Sequence, residues 1–230
     1  RQSARDAIAA LQQYLPTPLR YQAEMWWVMG YAELNLADNW CNGVPFSRLE
    51  DGVPIYDAPK TSAEGLALAL SHLDSALALA TESDSAAVTV QRAIQLTRAR
   101  VLLAQGQFSA AATAAAAVPT TFRYLQSHSL TTFDVANWSL NNSQRRWVVG
   151  DSFDVTGLIQ NAIPFGSAGD PRVPTVGQSQ SSSAGRAFDN STPFVQTTIW
   201  TRTDNVPILS GIDARLIEAE AALRANDIAG

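Results

Sequence analysis

The stretch RARVLLAQGQFSAAATAAAAVP, residues 98–119, decides the fold. Gly106 can take the left-handed backbone that closes one helix. Phe108 then anchors the start of a second helix, whose alanines let it lie close against the first, and Pro119 stops it. Small residues where helices touch, an aromatic at the turn and a terminal proline are the physical logic of a tetratricopeptide unit, although any αα-hairpin can share them. The pattern returns at the end of the chain. LLAQGQFSA (102–110) can be laid on ALRANDIAG (222–230), with Leu103 on Leu223, Gly106 on Asn226 and Phe108 on Ile228, an offset of 120 residues. Asn is the usual substitute for Gly at a left-handed position. So large an offset rules out tandem copies and implies a long insertion. The second unit stops where its second helix should begin, and the turn after Asn226 is expected to be poorly packed.

Working outward, residues 3–14 read as a helix capped by Ser3 and closed by Pro16 and Pro18. Residues 21–38 carry Met25, Val28, Ala32 and Leu36 at i, i+3, i+7 and i+11, with Trp27, Tyr31 and Leu34 on a second flank. Gly30 lowers helix propensity there, and the expected compensation is close approach of another helix. Residues 39–59 are turn-rich. Thr61 and Glu64 stand in capping-box spacing, followed by Leu66, Leu70, Leu73 and Leu77. The next helix, about 86–104, is apolar on two sides: Val90, Ile94 and Val101 on one, Leu96, Ala99 and Leu103 on the other. Two buried faces place it inside a stack. Residues 120–208 differ: they are rich in glycine, hold the run GQSQSSSAG (177–185), and show short β-type segments at 146–155 and 196–202. The expected organisation is a helical scaffold over 1–119, an irregular insert over 120–208 forming a ligand platform, and a resumed, incomplete helical unit over 209–230. The fold class is mainly α: tetratricopeptide-like pairs in an α-α superhelix, with a long insert of short strands.

The totals narrow the function. The 230 residues are 46% hydrophobic and 16% charged, with a net charge of −5 and one lysine beside fifteen arginines. Without a basic cluster there is no nucleic-acid footprint. Cys41 is the sole cysteine, so no intrachain disulfide forms, and no apolar run is long enough to span a membrane. Gly150-Asp151-Ser152 resembles an esterase motif, but a serine nucleophile needs a histidine base, and His72 and His128 both precede it without the Asp-x-x-His spacing. Asp151, Asp154, Asp170 and Asp189 could supply a glycosidase pair, yet turn-capping accounts for each. Cys41, His72 and His128 lack metal-ligand spacing. No catalytic residue, metal or cofactor is therefore expected. Glu220 and Arg224 form a surface pair at i, i+4, and Arg172 is read as part of a structural ion pair.

Four stretches in this order resemble the SusD/RagB family of surface glycan-binding lipoproteins. They are QAEMWWVMGYAELNLADNWCNGVPFS (22–47) with Gly43-Val44-Pro45; TSAEGLALALSHLDSALALA (61–80), followed by the helix pair at 93–118; DPRVP (170–174); and VPILSGIDARLIEAEAALRAND (206–227), where Ala219-Glu220-Ala221 follow a short strand. Together they span about 200 residues, though none is decisive alone. Family members are longer, with an N-terminal lipidated cysteine and further helices after the Ala-Glu-Ala segment, so the sequence reads as a partial or shortened member. The resemblance implies non-catalytic capture of an oligosaccharide or related nutrient at the bacterial outer-membrane surface, and delivery to a TonB-dependent transporter. Membrane attachment would be only through a lipid anchor, which this sequence lacks.

The resemblance fixes no binding residue; candidates come from chemistry. A sugar ring offers apolar C–H faces and a rim of hydroxyls, so its sites pair flat aromatics with amide or carboxylate acceptors. NWSLNN (137–142) supplies Asn137, Trp138, Asn141 and Asn142, joined by Trp147, Tyr124 and Trp200, with Trp40 a weaker candidate. At least one of Trp26 and Trp27 is expected in the core. The alternative function is a protein-interaction module, with a partner peptide in the helical groove and no glycan binding.

Overall fold

A computed structural model describes residues 1–40, 42–131, 135–147, 168–176, 186–190 and 194–227. The chain divides into two compact units: a helical unit of Arg1–Tyr124 with Ile208–Gly230, and the insert, Leu125–Pro207.

The helical unit runs α1 (Gln2–Tyr14), α2 (Arg20–Asn39), α3 (Ser62–Leu79), α4 (Ser85–Ala104), α5 (Phe108–Ala116) and α7 (Gly211–Arg224). The protein is mainly α, as the sequence predicts. Helix α2 packs most extensively on α3 and also on α1 and α4; α5 lies between α4 and α7. One core joins them, including Trp27, Leu34, Leu73, Ile94, Leu96, Val101 and Ile217. Alanines at 23, 69, 76, 93, 99, 111 and 115 are fully buried, so the helices meet across small side chains.

Gly30 shows why. A Cβ there would lie 2.8 Å from Leu73 Cγ and 3.1 Å from the Ala69 carbonyl oxygen, so the expected close approach is made by α3. Trp27 sits one turn earlier, buried, with Nε1 donating to Thr97 Oγ1 at 2.8 Å; that hydroxyl in turn donates to the Ala93 carbonyl at 2.8 Å. The most deeply buried stripe of α2 is therefore Ala23, Trp27, Gly30, Leu34 and Ala37. Met25 and Val28, part of the stripe expected to lead, are only partly buried and pack beside α1 with Ala4, Ile8 and Met29. The reason is that α2 is covered from two sides. Helix α4 is likewise buried on two faces, as predicted.

Helix ends follow local chemistry. Thr61 and Glu64 form the predicted capping box, and Asp84 caps α4 through the N–H groups of Ala86 and Ala87. The Ser3 cap does not form: α1 begins at Gln2, with no side-chain bond at its N-cap. The repeat is visible in backbone bonds. Gly106 (φ 74°) and Asn226 (φ 58°) are both left-handed. Gly106 and Gln107 donate to Leu103 and Leu102; 120 positions later, Asn226 and Asp227 donate to Leu223 and Ala222. That is the same six-to-one closure twice. Residues 228–230, which include Ile228 and the turn expected to be loosely packed, lie outside the described residues, as does Cys41.

The turn-rich segment after α2 forms two small antiparallel ladders. Strand β1 (Val44–Pro45) pairs with β4 (Pro59–Lys60), and between them β2 (Arg48–Glu50) pairs with β3 (Val53–Ile55) in the register Arg48↔Ile55 to Glu50↔Val53. Asp51 and Gly52, both at positive φ, make the two-residue turn. Strand β5 (Arg123–Gln126) pairs with β8 (Val206–Ser210), and α7 follows β8 directly under a Ser210–Asp213 capping box. A Cβ on Gly211 would meet the Pro119 carbonyl oxygen at 2.0 Å, so only glycine lets α7 start there.

Replacing Thr97 by Val keeps the shape but leaves the buried indole N–H of Trp27 without an acceptor. Thr97→Val is expected to lower the unfolding free energy by about 1–3 kcal/mol, read from urea denaturation. Thr97→Ser, which keeps the acceptor, is expected to cost less.

Candidate functional site

In the insert, α6 (Ala136–Trp138) runs straight into a π-helical turn, Ser139–Ser143, closed by the Gln144 N–H donating to the Ser139 carbonyl at 2.8 Å. Such turns are rare and concentrate at functional sites. At its centre Asn141 is 0% exposed. Its Oδ1 accepts from the Thr197 N–H at 3.0 Å, and its Nδ2 donates to the carbonyls of Trp147 at 2.8 Å and Val195 at 3.3 Å. One amide thus ties the turn to β7 (Gln196–Thr197), which pairs with β6 (Thr175–Val176), and to the backbone of Trp147. The N–H groups of Arg146 and Trp147 both donate to the Leu140 carbonyl, at 2.9 and 3.2 Å. The backbone of Trp147 is therefore held at both its N–H and its carbonyl, while the side chain is left half open, the residue being 49% exposed.

Arginines of the insert lie over aromatic rings. The Arg146 guanidinium lies 4.7 Å from the ring of Phe188, which is 64% exposed, and the Phe188 N–H donates to the Arg145 carbonyl at 2.9 Å. Arg145, at φ 55°, stacks 5.0 Å over Phe194, and Arg202 lies 5.7 Å over Trp138. Arg146 and Phe188 offer a flat apolar face beside a guanidinium donor, and Trp147, next in the chain, a half-open indole. This combination suits a ligand that is apolar on its faces and polar at its rim.

The candidates from the sequence separate. Asn137, Trp138, Asn141, Asn142, Trp147 and Trp200 lie in the insert; Tyr124 and Trp40 lie in the helical unit. Asn141 has its polar atoms committed internally. Asn142 is half-buried, with Oδ1 enclosed and without a hydrogen-bond partner among the described residues; Asn137 and Trp200 are also half-buried. Trp40 is 57% exposed. Tyr124 packs 4.5 Å from Trp27 and donates its hydroxyl to Glu24. Burial, then the bond to Glu24 and its charge, raise the Tyr124 pKa. Tyr124 is half-buried and packs against the helical core. Sequence reasoning missed Arg146 and Phe188, because neither stands out until the chain folds Phe188 back onto Arg145 and Arg146.

Asp151, Ser152 and Asp154, most of the expected strand at 146–155, and the run at 177–185 lie outside the described residues. Only Gln196–Thr197 of the expected strand 196–202 is extended. In DPRVP, Arg172 pairs with Asp170: Nε to Oδ1 at 3.0 Å, Nη2 to Oδ2 at 2.6 Å, and the Arg172 N–H to Oδ1 at 2.9 Å. These bonds lower the Asp170 pKa to about 2. The pair is a local clip, the structural role expected of Arg172. Glu220 and Arg224 pair at 2.7 Å as predicted. His128 bonds the Asp204 carbonyl and His72 bonds Glu33. Among the described residues no cluster of His, Cys, Asp or Glu could hold a metal ion, and no helix is long and apolar enough to cross a membrane.

The helical unit holds two clefts that the sequence did not single out. One, about 560 Å³, lies along α1 and α2 and is lined by Ala7, Ala10, Leu11, Tyr14, Tyr21 and Met25 among others; the other, about 300 Å³, includes Arg5, Trp26 and His72.

No protein-family model matches the sequence, and no curated protein matches it. Two solved structures are similar. A SusD/RagB family protein from Bacteroides thetaiotaomicron has a TM-score of 0.67 at 14% identity, over 98% of this chain and 54% of that one. A SusD-like carbohydrate binding protein from Bacteroides vulgatus has a TM-score of 0.57 at 13% identity, over 98% of this chain and 56% of that one. The chain thus spans about half the length of each.

Asn141→Leu removes three hydrogen bonds and orphans the buried Thr197 N–H. It is expected to destabilise the insert by about 2–4 kcal/mol, seen as faster proteolytic nicking within 125–207 while the helical far-UV signal is retained. A second expectation concerns Asp170. Because its folded pKa is depressed, the clip's stabilisation is present above the ordinary carboxylate range and is lost as pH falls through about 2. NMR titration should place the Asp170 midpoint there, and Arg172→Ala should raise it toward the ordinary value of about 3.9 without reaching it, because the backbone N–H at position 172 still donates to Oδ1.

Proposed function

We propose that this chain, which has the fold of SusD/RagB family proteins, binds an oligosaccharide or related nutrient without catalysis. The proposal includes its place: the bacterial outer-membrane surface, with delivery to a TonB-dependent transporter. One observation carries the binding: the half-open indole of Trp147 on a backbone clamped by Asn141 and Leu140. A backbone fixed in advance loses little conformational freedom on binding, so more of the stacking energy of the indole it carries appears as affinity. Arg146 supplies donors for hydroxyl or ring oxygens, and Phe188 a second apolar face. Trp138, Asn137, Asn142 and Trp200 would line the margin of this platform, and Asn141 would hold it. Trp40 is a separate exposed indole. The likeness to a carbohydrate binding protein from Bacteroides vulgatus supports the ligand class. The transporter, the lipid anchor and the outer-membrane location rest on the family resemblance.

A second reading, a module that binds a partner peptide, draws on the apolar cleft along α1 and α2. Deleting residues 130–205 separates the two: peptide binding should survive and saccharide binding should vanish.

Trp147→Ala is expected to weaken oligosaccharide binding about 10-fold or more, and Phe188→Ala to weaken it less. Calorimetric titration against a panel of oligosaccharides measures both; silence of the wild-type chain across a broad panel would sink the proposal.

A further inference from the structure

The 300 Å³ cleft of the helical unit lies against α1, α2 and α3. Its lining is Arg1, Arg5, Ile8, Trp26, Met29 and His72. Behind them is Glu33 of α2, whose side chain is 0% exposed. A carboxylate is kept in such a place only when paired and hydrogen-bonded. Here Oε1 accepts from Arg1 Nε at 2.5 Å and Oε2 from His72 Nδ1 at 2.5 Å, while Arg1 Nη1 donates to the carbonyls of Phe46 at 3.0 Å and Ser47 at 3.2 Å. Glu33 therefore orients two lining side chains and is not itself open to a ligand.

The orientation leaves particular atoms for a guest. With Nδ1 on Glu33, the nitrogen of His72 left over is Nε2, and Arg1 keeps Nη2; neither has a hydrogen-bond partner among the described residues. Arg5 is 3.9 Å from its nearest carboxylate, Glu50, and that group is held more tightly by Arg48 at 2.6 Å. Arg48 also holds Asp57, at 3.0 Å, and the Arg5 side chain makes no hydrogen bond among the described residues, so its guanidinium keeps donors to spare at the cleft. Trp26, tilted 38° to His72 with ring centroids 5.3 Å apart, supplies a flat apolar wall, and Ile8 and Met29 an apolar floor. The volume is at the lower end of the ~300–1,000 Å³ of small-molecule sites, which favours a single ring over an extended chain.

We infer that this cleft binds the carboxylate-bearing ring of an acidic saccharide, a hexuronate unit. Arg5 and Arg1 Nη2 receive the carboxylate, His72 Nε2 bonds a ring hydroxyl, and Trp26 covers the C–H face. Cation, flat wall and hydroxyl partner in one cavity match that class better than a neutral sugar, which leaves Arg5 unused, or a bare anion, which leaves Trp26 unused. The inference rests on the saccharide reading for the ligand's class, but its residues lie entirely in the helical unit.

The test is calorimetric titration of the full chain with glucuronate, glucose and acetate, and with neutral oligosaccharides. Glucuronate should bind about 10-fold tighter than either glucose or acetate. Arg5→Ala, at a half-exposed position, should abolish that margin with neutral-oligosaccharide binding unchanged, and Arg5→Lys should restore part of it. Equal affinity for glucuronate and glucose would overturn the inference, as would acetate matching glucuronate or a margin that survives Arg5→Ala. The outcomes stay separable from the insert platform. Trp147→Ala should leave the glucuronate margin intact, and loss of neutral binding alone counts against the platform, not the cleft.

Discussion

Helix α2 must be covered on two sides, and the helical unit follows from how its residues meet that constraint. Gly30 lets α3 close to the point where any Cβ would strike Leu73 and the Ala69 carbonyl. One face of α2, through Trp27, Gly30, Leu34 and Ala37, therefore enters the shared core with α3 and α4. The positions between them on the helical wheel, Trp26, Met29 and Glu33, fall at i, i+3 and i+7 and turn toward the first residues of α1. Without the glycine the two helices would stand further apart, and His72 of α3 could not reach Glu33.

Each unit holds a fully buried polar side chain with several hydrogen bonds: Glu33 in the helical unit, where Thr97 is sealed as well, and Asn141 in the insert. Both have 0% exposure and all their long-range bonds go to groups distant in sequence. A buried polar group is costly unless satisfied, so each admits few alternative arrangements of its neighbours. In the insert this matters more, because strands of two residues and short turns bury little apolar surface. Asn141 does there what Trp27 and Leu73 do in the helices. It also fixes Trp147 without touching its ring, which leaves the indole face for solvent or a ligand.

Much of the architecture was legible in the sequence. The Thr61–Glu64 box, the left-handed Gly106 and Asn226, the two-faced α4 and the tight place at Gly30 depend on residues a few positions apart, and all are present. Beside the shortened strand at 196–202, two readings in the helical unit went differently. Ser3 caps nothing, since α1 starts a residue earlier, and the leading stripe of α2 is only half-buried, since α1 covers it from the far side. The candidate platform was legible by composition, in NWSLNN and the tryptophans, but not by role. Nothing local distinguishes Asn141, which is sealed, from Asn142, or Tyr124, which packs against the helical core, from an exposed aromatic.

The sequence by itself determined the helix positions, most of their ends and the paired left-handed closures at Gly106 and Asn226, because those are set by side-chain periodicity and by φ preferences of single residues. Tertiary structure alone decided that Glu33 is buried between Arg1 and His72, that Asn141 clamps Trp147, and that Phe188 lies on Arg146. Each of those contacts except the clamp's own short loop joins residues more than thirty positions apart. Whether such a polar or aromatic group meets water, a partner or a ligand depends on which distant backbone is brought to it, and no local pattern carries that information.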